Sequence, residues 1–178
     1  DFGDAPASYQ AATSVTTTTT ASHILSDLAL GSAITTNNNY PITLNGTAAG
    51  AGPFLASPVQ VAAAANNNGT NGDGAEENGL TTFAPLTTDL IGSTYTLTPT
   101  ISGASRAGQV CGWIDFNQDG VFTAAEGKCS TFASGATSVP VVWTVPTATT
   151  AGNTYMRLRV SYDTTMTTAS VNGLLNSG

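Results

Sequence analysis

The hydrophobic and polar positions of this chain alternate most clearly in its second half. In "STYTLTPTISG" (residues 93–103), Tyr95, Leu97 and Pro99 take turns with threonines, the period-two signature of a strand with one face on a core. "GQVCGWIDF" (108–116) and "SVPVVWTVP" (138–146) are rich in β-branched and aromatic residues and are bounded by Gly or Pro. In "TYMRLRVSYD" (154–163), Met156, Leu158, Val160 and Tyr162 fall on one face, with Tyr155, Arg157, Arg159 and Ser161 on the other. Four such strands in order, joined by turn-rich segments, predict an all-β fold. The expected form is an antiparallel β-sandwich, immunoglobulin-like or jelly-roll-like, with long Asn/Gly/Thr-rich loops. Trp113 and Trp143 lie in strong strand patterns and are expected in the core.

The first half carries weaker signals. "HILSDLALG" (23–31) reads as a strand or a single helical turn, and the threonine run Thr16 to Thr20 as a strand or a flexible or glycosylated segment. "YPITL" and "VQVAAA" are weak strands between Asn/Gly-rich turns, and "NNNGTNGDGAEENG" (66–79) has no period and is expected to be a loop. The "NGT" sequons at Asn45 and Asn68 read as turn residues. With no internal repeat and no evident linker, residues 1–178 are expected to form one domain.

Charge narrows the partners. Only 8% of the residues are charged, and four Lys+Arg against eleven Asp+Glu leave a net charge of -7. That balance repels phosphate backbones and anionic lipid surfaces, so nucleic acid and membrane surfaces are excluded as expected partners, and divalent cations are the natural counter-ions. No apolar run is long enough for a membrane-spanning helix. The chain has no initiator Met and no signal-like stretch, so a secretion signal is expected to have been removed or to lie upstream.

One stretch carries metal chemistry. "DFNQDGVFTAAEG" satisfies the calcium-loop pattern D-x-[DN]-x-[DN]-G-x5-E at Asp115, Asn117, Asp119, Gly120 and Glu126. A hard dication needs six to eight oxygens, and short side chains at alternate positions of a tight loop supply them. Asp115, Asn117 and Asp119 would give side-chain oxygens, Val121 its carbonyl, Thr123 a hydroxyl or a bridging water, and Glu126 both carboxylate oxygens. The alternative is an unmetallated turn with solvated acids. Phe116 and Phe122 are expected to pin the loop to the core. Cys111 and Cys129 flank it at the ends of two successive strands, so a disulfide would clasp its neck and point to an oxidising, extracellular setting. The alternative there is two unrelated buried thiols.

Other chemistry is thinly represented. His23 is the only histidine, too few for a zinc site with several His ligands, and a structural role is favoured over a triad with Ser22 and Asp27. The carboxylates Asp73, Glu76, Glu77 and Asp89 sit in Gly/Asn- or Thr-rich surroundings that suit solvated or metal-bound acids better than tuned catalytic ones. Asp1, Asp4, Asp73, Glu76 and Glu77 form a second concentration of acid, expected to gather around another calcium or around Arg157 and Arg159; the alternative is that the acids are solvated and the arginines exposed.

The opening "DFGDAP", the "SH" with a later "LG", "GDGAEENG", "GWIDFNQDGVFTAAEG", "VPTATTAGNTYMRLRVS" and "LLNSG" occur in the order expected of the GEVED domain. The chain resembles that family of bacterial secreted and cell-surface proteins over essentially its whole length. The signature Gly-Glu-Val-Glu-Asp itself is absent: the sequence stops at Gly178, where its first glycine would stand, so the closing acidic strand is expected to be cut away, left out or supplied by another molecule. The resemblance implies a non-catalytic β-sandwich module of a calcium-rich exported protein. Three function classes follow as expectations: a structural or adhesion module beside neighbouring domains, a filament subunit completed by a strand from the next copy, and a module binding a surface glycan or protein.

Overall fold

A computed structural model of the chain describes residues 21–23, 26–31, 79–80, 83–152 and 154–175. Nine strands follow in order: β1 (Ala21–His23), β2 (Ala29–Leu30), β3 (Thr94–Leu97), β4 (Ile101–Ser102), β5 (Gly108–Ile114), β6 (Gly127–Phe132), β7 (Val141–Thr144), β8 (Met156–Ser161) and β9 (Gly173–Leu175). The only helical elements among the described residues are two single 3-10 turns, Thr88–Leu90 and Ala124–Glu126, so the chain folds as the all-β protein its alternation predicts. The threonine run, "YPITL", "VQVAAA" and both sequons lie outside the described residues.

The four strands read from the sequence are the ones that organise the molecule. β5 is the middle of a three-stranded antiparallel sheet ordered β6-β5-β8, and β3 pairs antiparallel with β7. β2 pairs antiparallel with β4, so the "HILSDLALG" stretch does contain a strand. One pair departs from the antiparallel expectation: β1 and β9 run parallel, with His23 opposite Leu175.

Alternation sends each face of β5 to a different environment. Val110 and Ile114, with Met156 and Val160 of β8 and Phe132 of β6, share one apolar cluster with Tyr95 and Leu97 of β3 and Val141 and Trp143 of β7. The two larger sheets thus cover each other's apolar faces. Close approach needs a residue without a side chain at the centre. A Cβ on Gly112 would stand 2.8 Å from both Leu158 Cδ2 and Trp143 Cζ2, so the indole lies directly over the β5 backbone.

The opposite face of β5 is also covered, but by irregular chain. Cys111 and Trp113 pack with Phe122, Met166 and Leu175, and beside them Arg157 and Arg159 of β8 are 5% and 1% exposed. The alternation places these arginines opposite Met156 and Leu158, as expected, but that face is interior rather than solvated. Burial lowers the guanidinium pKa values, to about 9 for Arg157, where the Arg159 charge adds to the effect, and to about 10 for Arg159. Both therefore stay charged at neutral pH.

Their donors meet oxygens of residues 170–173, the chain that leads into β9. Arg157 Nη1 donates to Val171 O at 2.9 Å and to Asn172 Oδ1 at 2.7 Å. Arg159 reaches Ser170 O at 2.6 Å, Asn172 O at 3.3 Å and Gly173 O at 2.7 Å. Gln109 Nε2 donates to Asp163 O and Met166 O, and Trp113 Nε1 to Thr168 O. Asp1, Asp4, Asp73, Glu76 and Glu77, the acids expected beside these arginines, lie outside the described residues.

Two substitutions test this packing. Gly112→Ala places a methyl where no space exists and is expected to cost about 1–3 kcal/mol by overpacking, read from urea unfolding with an unchanged slope. Arg159→Met leaves buried carbonyls without their donor and is expected to cost at least about 3 kcal/mol. A smaller loss than that of Gly112→Ala would show that the guanidinium is dispensable.

Candidate metal centre

The loop between β5 and β6 is residues 115–126, and it begins and ends on buried acid. Asp115 is fully buried and Glu126 is 7% exposed, whereas Asn117, Asp119, Val121 and Thr123 are exposed. The structure therefore brings all six predicted ligands into one turn, with its two end carboxylates beneath the surface and its middle in solvent.

The turn is shaped by its own amides. Asp115 Oδ1 accepts from the Asp119 amide at 3.2 Å, and its Oδ2 from the Gly120 amide at 3.0 Å. Asp119 Oδ1 accepts from the Val121 amide at 3.0 Å, while Asn117 Oδ1 accepts from the Asp119 amide at 3.2 Å. Gly120 adopts φ 83°, the left-handed conformation that glycine takes without strain, and Gln118 adopts φ 59°. Short polar side chains bonded to amides two to five residues on are what makes Asp and Asn good turn formers.

The far end is held by the single 3-10 turn. The Thr123 amide and hydroxyl both donate to Glu126 Oε2, at 2.9 and 2.8 Å. The other oxygen, Oε1, receives no donor among the described residues. Burial pushes the Glu126 pKa up, the Thr123 hydrogen bonds pull it down, and the charges of Asp115 and Asp119 raise it further. The loop thus ends on a buried carboxylate whose ionisation is resisted by its surroundings.

The loop is anchored on both sides of the sheet. Phe116 lies in the main core and Phe122 in the second cluster, as expected of the two residues that would pin it. Trp143 Nε1 donates to Glu126 O at 2.9 Å, and the Thr154 hydroxyl donates to Asp115 O. Neither bond has a local sequence signal, because both donors sit far along the chain. Cys111 and Cys129 are directly opposite in the β5-β6 register and form a disulfide, with their Cα atoms 4.0 Å apart. The bridge sits within the two strands rather than at their loop ends, with Gly112, Trp113 and Ile114 between it and the turn.

The donor set suits a hard dication: three carboxylates, an amide oxygen, a hydroxyl and a main-chain carbonyl. Among the described residues, no three His, Cys, Asp or Glu side chains gather closely enough to hold an ion by themselves. Asn117 Nδ2 also donates to Asp119 Oδ2 at 2.9 Å, a bond between two of the predicted ligands. The loop is closed on itself, and a cation would bind by replacing such internal bonds.

Residues 109–178 match the GEVED domain. The match begins at the second residue of β5 and includes the loop of residues 115–126, the disulfide, the buried arginines and β9. The amino-terminal motifs "DFGDAP", "SH" and "GDGAEENG" lie outside the GEVED match, which is shorter than the whole-chain resemblance read from the sequence. No curated protein and no solved structure matches the chain.

The elevated Glu126 pKa fixes the sign of a pH effect in metal-free protein. A carboxyl that holds its proton more tightly when folded contributes most below its ordinary value of 4.5, and that contribution is lost as pH rises through the folded value. Melting temperatures measured in chelator from about pH 4 to about pH 7 should therefore fall more steeply for the native chain than for Glu126→Gln. Parallel profiles for the two proteins would contradict the assignment.

Proposed function

We propose that this chain supplies a non-catalytic structural module to an extracellular or cell-surface protein, and that calcium bound by residues 115–126 stabilises it. The observation that carries the reading is Glu126: a buried carboxylate, raised in pKa partly by two nearby acids, with one oxygen that receives no donor among the described residues. A divalent ion would supply the missing positive charge. Asp115, Asn117, Asp119, Thr123 and Glu126 would hold it with side-chain oxygens, and Val121 with its carbonyl.

The role is structural because the loop is tied down at every side. Trp143, Thr154, Phe116 and Phe122 join it to the packed interior, so ordering the loop orders the end of the sheet. A disulfide across β5 and β6 fits an oxidising compartment, and the match of residues 109–178 to the GEVED domain fits an exported protein. Its partners would be neighbouring domains or copies of the same protein. A sugar-stacking face would need exposed aromatic rings, and both tryptophans are consumed by the core, at 0% and 1% exposure.

Calcium that binds the folded loop and not the unfolded chain stabilises by mass action, about 2.7 kcal/mol at a hundred times the dissociation constant. Thermal melts in chelator and in millimolar calcium should differ accordingly, and Glu126→Gln should erase most of the difference. Identical melting temperatures for the native chain in both conditions would sink the proposal.

A further inference from the structure

Three residues on neighbouring strands share one rung of the β6-β5-β8 sheet. Cys129 of β6 is directly opposite Cys111 of β5, and Cys111 is directly opposite Arg159 of β8. Side chains directly opposite in an antiparallel pair point to the same face, with their Cβ atoms about 5 Å apart. The disulfide and the buried arginine therefore stand side by side on the second face of the sheet, where Cys111 packs with Trp113, Phe122, Met166 and Leu175. Arg157, two residues along β8 and set over the Phe122 ring, adds a second positive charge to the same layer.

The two sulfurs are not equivalent. Cys111 lies on the central strand and is fully buried, whereas Cys129 is partly exposed on β6, which pairs with β5 alone among the described residues. Solvent reaches the bond from the Cys129 side, and the charge lies on the Cys111 side.

We infer that the Cys111–Cys129 bond is a reversible thiol–disulfide exchange site, at which a small external thiol attacks Cys129 and Cys111 departs as a thiolate beside Arg159. The incoming thiolate forms a bond to Cys129 Sγ as the bond between the two cysteine sulfurs breaks, and the electron pair stays on Cys111 Sγ. A second thiolate attacks the external sulfur of this mixed disulfide and Cys129 leaves. Two external thiols are thereby oxidised to one disulfide, and the protons they release complete the two cysteine thiols.

Exchange is faster when the departing thiol has the lower pKa, and a neighbouring guanidinium lowers it. Apolar burial of Cys111 acts the other way. The guanidinium prevails because it is desolvated too, Arg159 being 1% exposed, and opposite charges attract several-fold more strongly there than in water.

Reversal needs the reduced sulfurs to stay together, and the ladder holds them without the bond. Val110 is opposite Ser130, Gly112 is opposite Lys128, and β8 pairs with β5 from Gln109 to Ile114. A disulfide between strands already paired on both sides of it is a switchable bond on a preformed frame. Two thiols held in that way re-form the bridge at high effective concentration.

The test uses the folded chain in chelator, which keeps its outcome separate from the calcium reading. Brief exposure to 2-mercaptoethanol, followed by acid and a maleimide block, should leave the mixed disulfide on Cys129 and the maleimide on Cys111. The reduction rate should be flat in urea below the unfolding transition, and oxidised glutathione should restore the bridge without denaturant. Arg159→Gln keeps hydrogen-bond donors but loses the charge, and should slow reduction about tenfold; Arg159→Lys should stay near the native rate. Loss of structure alone would open the sheet and speed reduction, so the sign separates the two effects. An adduct on Cys111, a rate that climbs with urea along the slope of global unfolding, or a bridge that re-forms only after unfolding would overturn the inference on the native chain alone. Folded Arg159→Gln reduced as fast as the native chain, or Arg159→Lys slowed equally, would do the same.

Discussion

The structure depends on a buried layer in which charged side chains substitute for missing strand partners. Residues 163–172 run over the second face of β5 and β8 as irregular chain leading into Gly173 of β9, and backbone carbonyls taken from water there must be hydrogen-bonded or carry a penalty of about 1–3 kcal/mol each. Gln109, Trp113, Arg157 and Arg159 between them meet seven of those carbonyls. Arginine suits the task because its planar fork offers five donors in fixed directions. The cost is that two like charges share the interior, which the lowered pKa of Arg157 reflects. This layer seats β9, and β9 in turn receives β1.

The same sheet joins that polar layer to the loop of residues 115–126. Trp143 spans the main core from Gly112 to the carbonyl of Glu126, so the indole that requires a bare β5 backbone also holds the loop's last residue. Phe116 and Phe122 hold the loop from the two sides of the sheet. Loop order and core order are therefore not independent, and a ligand that tightens one tightens the other.

Much of this was legible in the sequence where a local period carried it. The alternation of residues 93–103 located β3 and its buried Tyr95 and Leu97, and the twelve-residue pattern located a turn whose ends are buried acids. What local pattern could not show is where a polar face goes. Arg157 and Arg159 alternate with apolar residues as a solvated strand face would, and only the carbonyls of a distant irregular segment make an interior position tolerable. The parallel β1-β9 pair was illegible for a related reason: strands of three residues have too few positions to show a period. The loop's candidate ligands are readable from spacing, but its closure on its own amides depends on backbone dihedrals at Gln118 and Gly120.

The Cys111–Cys129 bond also has a mechanical meaning. When a folded chain is pulled from its two ends, tension follows the shortest covalent route, and here that route crosses from β5 to β6 through sulfur. The 18-residue separation between the cysteines represents a contour of about 60 Å that cannot be drawn out while the bond is intact. Residues 115–126 lie wholly inside that shielded length. A module carrying load between neighbours could lose its outer strands to force while the bridge still kept the tension off the ends of this loop.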